Sequence, residues 1–173
     1  TSKTQIDSLL NMLDETIVKY PVVDNKMEAS ILHLKSNLAK TTDHKSRFDQ
    51  YGALFEIYKN YQMDSAVCIS LQRKHEASFL NNPQDVAIAN LNYAEVMMMT
   101  GMYKNALDIL QQQDKLFVSG ELKPYVFHLY HSSYLLLKEF TLAEKERNYY
   151  SKMILQYKDS ILSILPKGNL GYD

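Results

Sequence analysis

Apolar positions recur along most of the chain at the three- and four-residue spacing of helices buried along one side. In residues 5–20 they are Ile6, Leu9, Leu10, Leu13, Ile17 and Tyr20, and Pro21 ends or kinks the run. Asp24 is placed to cap a second helix, striped by Met27, Ile31, Leu34 and Leu38. Thr41-Thr42-Asp43 reads as a turn and N-cap before a third helix over about 44–60. There Phe48, Tyr51, Phe55 and Tyr58 mark one side, with Leu54, Ile57 and Tyr61 on another. Apolar residues on two sides predict a helix packed between two neighbours. A fourth helix is expected from about Asp64, containing Ala66, Val67, Ile69 and Leu71. Asn81-Asn82-Pro83 breaks the chain, and Pro83 and Asp85 open a fifth helix that runs to about Thr100. A sixth covers about 102–113. After Ser119-Gly120, Pro124 sits in the opening turn of a seventh helix, Tyr125 to Leu137. The eighth runs from about Phe140 to Leu165, where Pro166 and Gly168 stop it. Nothing alternates with period two over a useful length, so no sheet is expected.

Small residues organise these helices into pairs. In Asn90–Leu110, NLNYAEVMMMTGMYKNALDIL, Ala94 lies inside one helix, Gly101 marks the break, Tyr103 follows, and Ala106 lies inside the next. Two antiparallel helices that each carry an alanine can approach closely. Gly101 supplies a left-handed conformation that costs other residues about 1 kcal/mol or more, and Tyr103 can fold back as a wedge. The segment resembles a tetratricopeptide repeat, whose period is ~34 residues and which places a small residue, a Tyr and a second Ala in this order. It departs from that pattern at Asn90, where Trp is preferred, at Tyr93, where Leu is, and in having no Pro near Val118. Ala66, Ala106 and Ala143 take the same place in successive second helices, and Phe140…Ala143 copies the spacing of Tyr103…Ala106. The first of these hairpins has two extra residues in YKNYQMDSA. The expectation is an all-α, right-handed superhelical stack of antiparallel pairs, about eight helices in one domain. Residues 1–41 form a capping hairpin, 42–81, 82–119 and 120–165 are repeat-like hairpins, and 166–173 are a tail.

Composition narrows the function. Nineteen Lys and Arg against 20 Asp and Glu leave the 173-residue chain about neutral. It therefore lacks the basic footprint of a phosphate binder, and direct contact with nucleic acid is not expected. Five Gly and four Pro suit helices, and 13 Tyr with no Trp suit interfaces with one wet edge. The single Cys68, in AVCIS, cannot form an intrachain disulfide and is expected to be a small buried hydrophobe. No run approaches the ~20 apolar residues of a membrane span, and the opening TSKTQ carries no apolar signal segment.

A closer likeness lies in LLNMLDETI, YGALFEIYKNYQMDSA, NLNYAEVMMMTGMYKNALDIL and the closing YKDSILSILPKGNLGY. Together these are similar to the N-terminal region of an uncharacterised family of membrane-anchored, tetratricopeptide-containing presumed transcriptional regulators of Gram-negative gut bacteria. The resemblance covers nearly the whole chain. It implies a periplasmic sensor region, with further repeats, a membrane helix and a cytoplasmic regulatory part elsewhere in the parent protein. It brings no catalytic residues to transfer.

Candidate chemistry is sparse. His128 and His131 lie three apart, but no third zinc ligand, HExxH or paired cysteines accompany them, so no metal and no cofactor are expected. Glu95, between Leu91 and Met98, reads as a hydrogen-bond acceptor of a groove rather than a catalytic base. There is no phosphate loop and no GxSxG, so no enzyme is expected. In stacked repeats the first helix of each pair lines the concave surface. Counting along those helices gives Tyr51, Phe55 and Tyr58, then Leu91, Glu95 and Met98, then Tyr125, His128 and Ser132 as the binding groove. Met98 or Met99 would line it. The expected partner is a protein or peptide, including a segment of its own chain, with the membrane reached only through other parts of the parent protein. A small-molecule sensor and a structural dimerisation segment are the alternatives. Ile161, Leu162, Ile164 and Leu165 would offer a homodimer face on the C-terminal helix.

Overall fold

In the computed structural model, residues 25–114 and 120–164 are described. The helix expected at 5–20, the segment 115–119, Leu165 and the tail lie outside them. Helix α1 covers 25–40 and belongs to a first unit that ends at Thr42. Six helices follow in a second unit: α2 (His44–Tyr61), α3 (Met63–Ala77), α4 (Pro83–Met99), α5 (Tyr103–Asp114), α6 (Lys123–Phe140) and α7 (Glu144–Ile164). The described residues contain no strand.

In the second unit each helix packs on the next, and the first helices α4 and α6 also touch one another. That is the stack of helix pairs the spacing predicts. The caps are local. The Asp43 carboxylate accepts from Ser46 N at 2.8 Å, and Asn82 Oδ1 accepts from Gln84 N ahead of Pro83 in the first turn of α4. Between α4 and α5, Gly101 has φ 85°. Met102 N donates to Met97 O at 2.8 Å and Gly101 N to Met98 O at 3.1 Å, a Schellman closure that uses the glycine's left-handed backbone.

Ala66 and Ala106, each fourth in its helix, are 0% and 1% exposed and carry the close approaches of the first two pairs. The third pair is built differently. Phe140 ends α6 instead of opening α7, Thr141 is extended, and Ala143 is exposed just before the first turn of α7. The fourth position of α7, equivalent to Ala66 and Ala106 in their helices, is therefore Arg147 and not Ala143. Tyrosines fill the resulting space. Tyr157 stacks on Tyr130 at 4.5 Å between ring centroids, and Tyr134 meets Tyr150 at 5.9 Å. Tyr103 packs on this same core cluster and stacks on Phe140 at 5.8 Å, so it wedges between pairs rather than within one.

Two further expectations are corrected. The link between α2 and α3 is the single residue Gln62, shorter than the links at 100–102 and 141–143 and not longer. Cys68 is exposed. The inward side of α3 is Ala66, Ser70, Arg73 and Ala77, at four- and three-residue steps, and Cys68 falls between those positions on the outer side.

Candidate functional site

The face formed by the first helices α2, α4 and α6 carries two bonded clusters of polar groups. From α2 come Lys45, Asp49, Glu56 and Lys59, and from α4 come Asp85, Asn92 and Glu95. Tyr125 arrives from α6, and Arg73 reaches in from α3. Arg73 Nη1 donates to Asn92 Oδ1 at 2.5 Å, and Asn92 Nδ2 donates to the Tyr125 hydroxyl at 3.1 Å. That hydroxyl donates a very short bond to Glu95 Oε2. Lys59 Nζ closes the run, 3.4 Å from Glu95 Oε1 and 2.8 Å from Glu56 Oε2. At the other end Lys45 Nζ bridges Asp49 at 3.2 Å and Asp85 at 2.9 Å.

Arg73 is the unusual member. Gly52 makes room for it: a Cβ there would lie 2.6 Å from Arg73 Cζ. Its guanidinium rests 4.3 Å from the centroid of the Phe48 ring, a cation–π stack on a buried aromatic. Burial pulls its pKa below the ordinary guanidinium value, and the charges of Asp49 and Glu56 only partly oppose that. For Lys59 the balance reverses. Burial lowers its pKa, but the bond to Glu56 and the field of Glu95 outweigh it and the pKa rises. Burial, then Glu95, pushes the Tyr125 phenol far up, so it remains a hydrogen-bond donor.

Beside this run an open depression of about 680 Å³ lies between the start of α4 and the turn into α6, lined by Gln84, Asp85, Ile88, Gly120, Glu121 and Leu122. Ile88 and Leu122 are half-buried and give it an apolar floor. The next positions along the same two helices are Asn92 and Tyr125.

Of the residues counted into the groove, Glu95 and Tyr125 meet in this network. Phe55 and Leu91 are fully buried, and Tyr51 and Tyr58 are 7% and 4% exposed, so these four are wall rather than lining. Met98 is half-buried against the core around Leu91, and Met99 is exposed at 42%. His128 is exposed and Ser132 half-buried further along α6, away from the bonded run. On α2 the count followed the apolar stripe of Tyr51, Phe55 and Tyr58, which is the buried side of that helix. The polar residues mark the open side. Asp49, Gly52 and Glu56 on α2, and Asp85, Asn92 and Glu95 on α4, recur at three, four and seven residues and would have located it. Arg73 among small inward residues was the other missed signal.

The described residues contain no cluster of His, Cys, Asp or Glu suited to a metal. His131 is held below its ordinary pKa by burial, then by His128 and Lys158. No described helix is long and apolar enough to cross a membrane.

The family model described as SusR N-terminal TPR domain matches residues 17–173. The chain belongs to this family. No curated protein and no solved structure matches it. A TPR domain is a helical module of protein interaction, and such repeat modules are generally non-catalytic.

Proposed function

We propose that this TPR domain is the periplasmic, partner-binding segment of a membrane-anchored transcription regulator, and that it takes an extended peptide segment on the α2–α4–α6 face. Recognition is by hydrogen bonding and burial, with no covalent step. The observation that carries this reading is the bonded polar run of Asn92, Tyr125, Glu95 and Lys59 on first helices, with the apolar Ile88 and Leu122 about one turn before Asn92 and Tyr125. A bonded polar row beside an apolar strip is what an extended segment needs for its backbone and its side chains. The depression is open rather than enclosed, which suits a segment passing through better than a small molecule held inside. Compartment and anchoring rest on the resemblance to membrane-anchored regulators.

The test is photo-cross-linking in the full-length protein in its own cells. A benzophenone side chain at Ile88 should give a discrete adduct, and one at the exposed Leu155 of α7 should not. Tyr125→Phe with Glu95→Gln should weaken that adduct while circular dichroism remains unchanged. Equal labelling from both positions, or none from Ile88, refutes the reading.

A further inference from the structure

First helices lie side by side along the stack, and each covers a flank of the one before. Lys45 and Lys59 of α2 reach Asp85 and Glu95 of α4, and Tyr125 of α6 reaches Asn92 and Glu95. Among the described residues no first helix lies beyond α6, and its outer flank is open. His128, His131 and Leu135 recur there at three- and four-residue steps, opposite the buried Val126, Leu129 and Ser133. Leu135 is 49% exposed, His128 is exposed and His131 is half-buried. Phe127 and Tyr157, half-buried with ring centroids 6.0 Å apart, carry the apolar surface across to α7.

Charge on this flank has one sign. Burial, then His128 and then Lys158 of α7 hold the His131 pKa below the ordinary imidazole value, and no carboxylate acts on it. Lys45 and Lys59 each hold two carboxylates. Lys158, by contrast, holds none among the described residues, and neither histidine has a hydrogen-bond partner there. An imidazole and an ammonium facing each other over apolar side chains are complementary to one carboxylate set in an apolar stripe.

We propose that this flank docks an amphipathic helix of a separate protein, whose apolar stripe covers Phe127, Leu135 and Tyr157 and brings one carboxylate to His131 and Lys158. A helix fits because the flank is the place that α4 offers to α6, and an apolar stripe laid into a groove is a common mode of recognition. A separate partner fits because histidines change charge within reach of physiological pH, so the contact can be made and released. A carboxylate beside His131 raises its pKa, so the complex takes up a proton and affinity rises as pH falls toward the free value. The flank is separate from the α2–α4–α6 face, so its occupancy does not depend on a peptide there.

The experiment measures fluorescence anisotropy of three labelled, designed helical peptides of one leucine stripe, with Glu, Gln or Lys at its centre. At pH 7.5 the Glu peptide should bind tightest and the Lys peptide weakest. Lowering the pH to about 5.5, where the glutamate remains ionised, should tighten the Glu peptide about threefold and weaken the Lys peptide. His128→Gln with His131→Gln should remove that pH dependence, and Lys158→Gln should narrow the preference for Glu at pH 7.5. Leu135→Gln, at an exposed position that leaves the core intact, should weaken all three peptides about fivefold. Equal affinities for the three peptides, no effect of Leu135→Gln, or a pH dependence that survives the double histidine variant overturns the proposal. Self-association of the chain that Leu135→Gln abolishes assigns the flank to a second copy and also overturns it. So does a Glu peptide that binds this chain but not the full-length protein, since another part of the same protein would then cover the flank.

Discussion

Replacing Gly52 by Ala should reverse its effect on stability according to what residue 73 is. In a helix interior Ala is favoured over Gly by about 1 kcal/mol. Here the added methyl would sit 2.6 Å from Arg73 Cζ and Nη2, and 3.0 Å from Nη1. The guanidinium is the end of a flexible chain, but Phe48 lies under it and Asn92 is bonded to it, so moving it breaks both contacts. Overpacking costs about 1–3 kcal/mol and a lost hydrogen bond from a charged donor about 1.5–3 kcal/mol. After the helix-propensity gain, Gly52→Ala should destabilise the wild-type chain by about 1.5–5 kcal/mol. In an Arg73→Ala background nothing opposes the methyl, and the same substitution should stabilise by about 1 kcal/mol. The assay is a double-mutant cycle from urea melts followed by circular dichroism. A Gly52→Ala variant more stable than its parent in both backgrounds would refute the wedged guanidinium.

Two other expectations follow from burial and charge. Ala106→Leu should cost about 1–3 kcal/mol by overpacking a methyl that is 1% exposed, whereas Ala143→Leu should remain within about 0.5 kcal/mol. Equal melting curves for those two variants would contradict the assigned register. Glu76 accepts from His44 Nδ1 and Arg47 Nε at 2.7 Å each. Burial would raise its pKa, but these two bonds prevail and hold it below the ordinary carboxylate value. The folded pKa is the lower one, so its contribution is present above the unfolded carboxylate pKa and disappears as pH falls through the folded value. Glu76→Gln should therefore flatten the acid limb of stability against pH, measured by urea midpoints from neutral pH downward. An unchanged acid limb would refute that role.

Among the described residues, pairing and the helix boundaries at Asp43, Asn82-Pro83 and Gly101 were legible because they depend on signals within a few residues. Facing was less so. On α2, Tyr51, Phe55 and Tyr58 are all buried, and an apolar stripe marks the side of a helix that packs rather than the side left open. Ala143 shows the limit of spacing as an argument. Phe140 and Ala143 repeat the interval of Tyr103 and Ala106, but α6 continues through Phe140 and Thr141 is extended, so the same interval falls at a different place in the pair. Glu95 was legible as a carboxylate in an apolar run. Arg73 was not, since its meaning depends on Gly52 and Asn92, 21 and 19 residues away in sequence.

The ladder of rings in the last pair also gives the molecule an internal optical label. Tryptophan is absent, and six of the thirteen tyrosines (Tyr125, Tyr130, Tyr134, Tyr149, Tyr150 and Tyr157) belong to α6 and α7. Intrinsic emission is therefore weighted toward that end of the stack, while backbone ellipticity averages over every helix. Following both through one unfolding transition separates fraying of the terminal pair from collapse of the whole array, with no dye and no added chromophore.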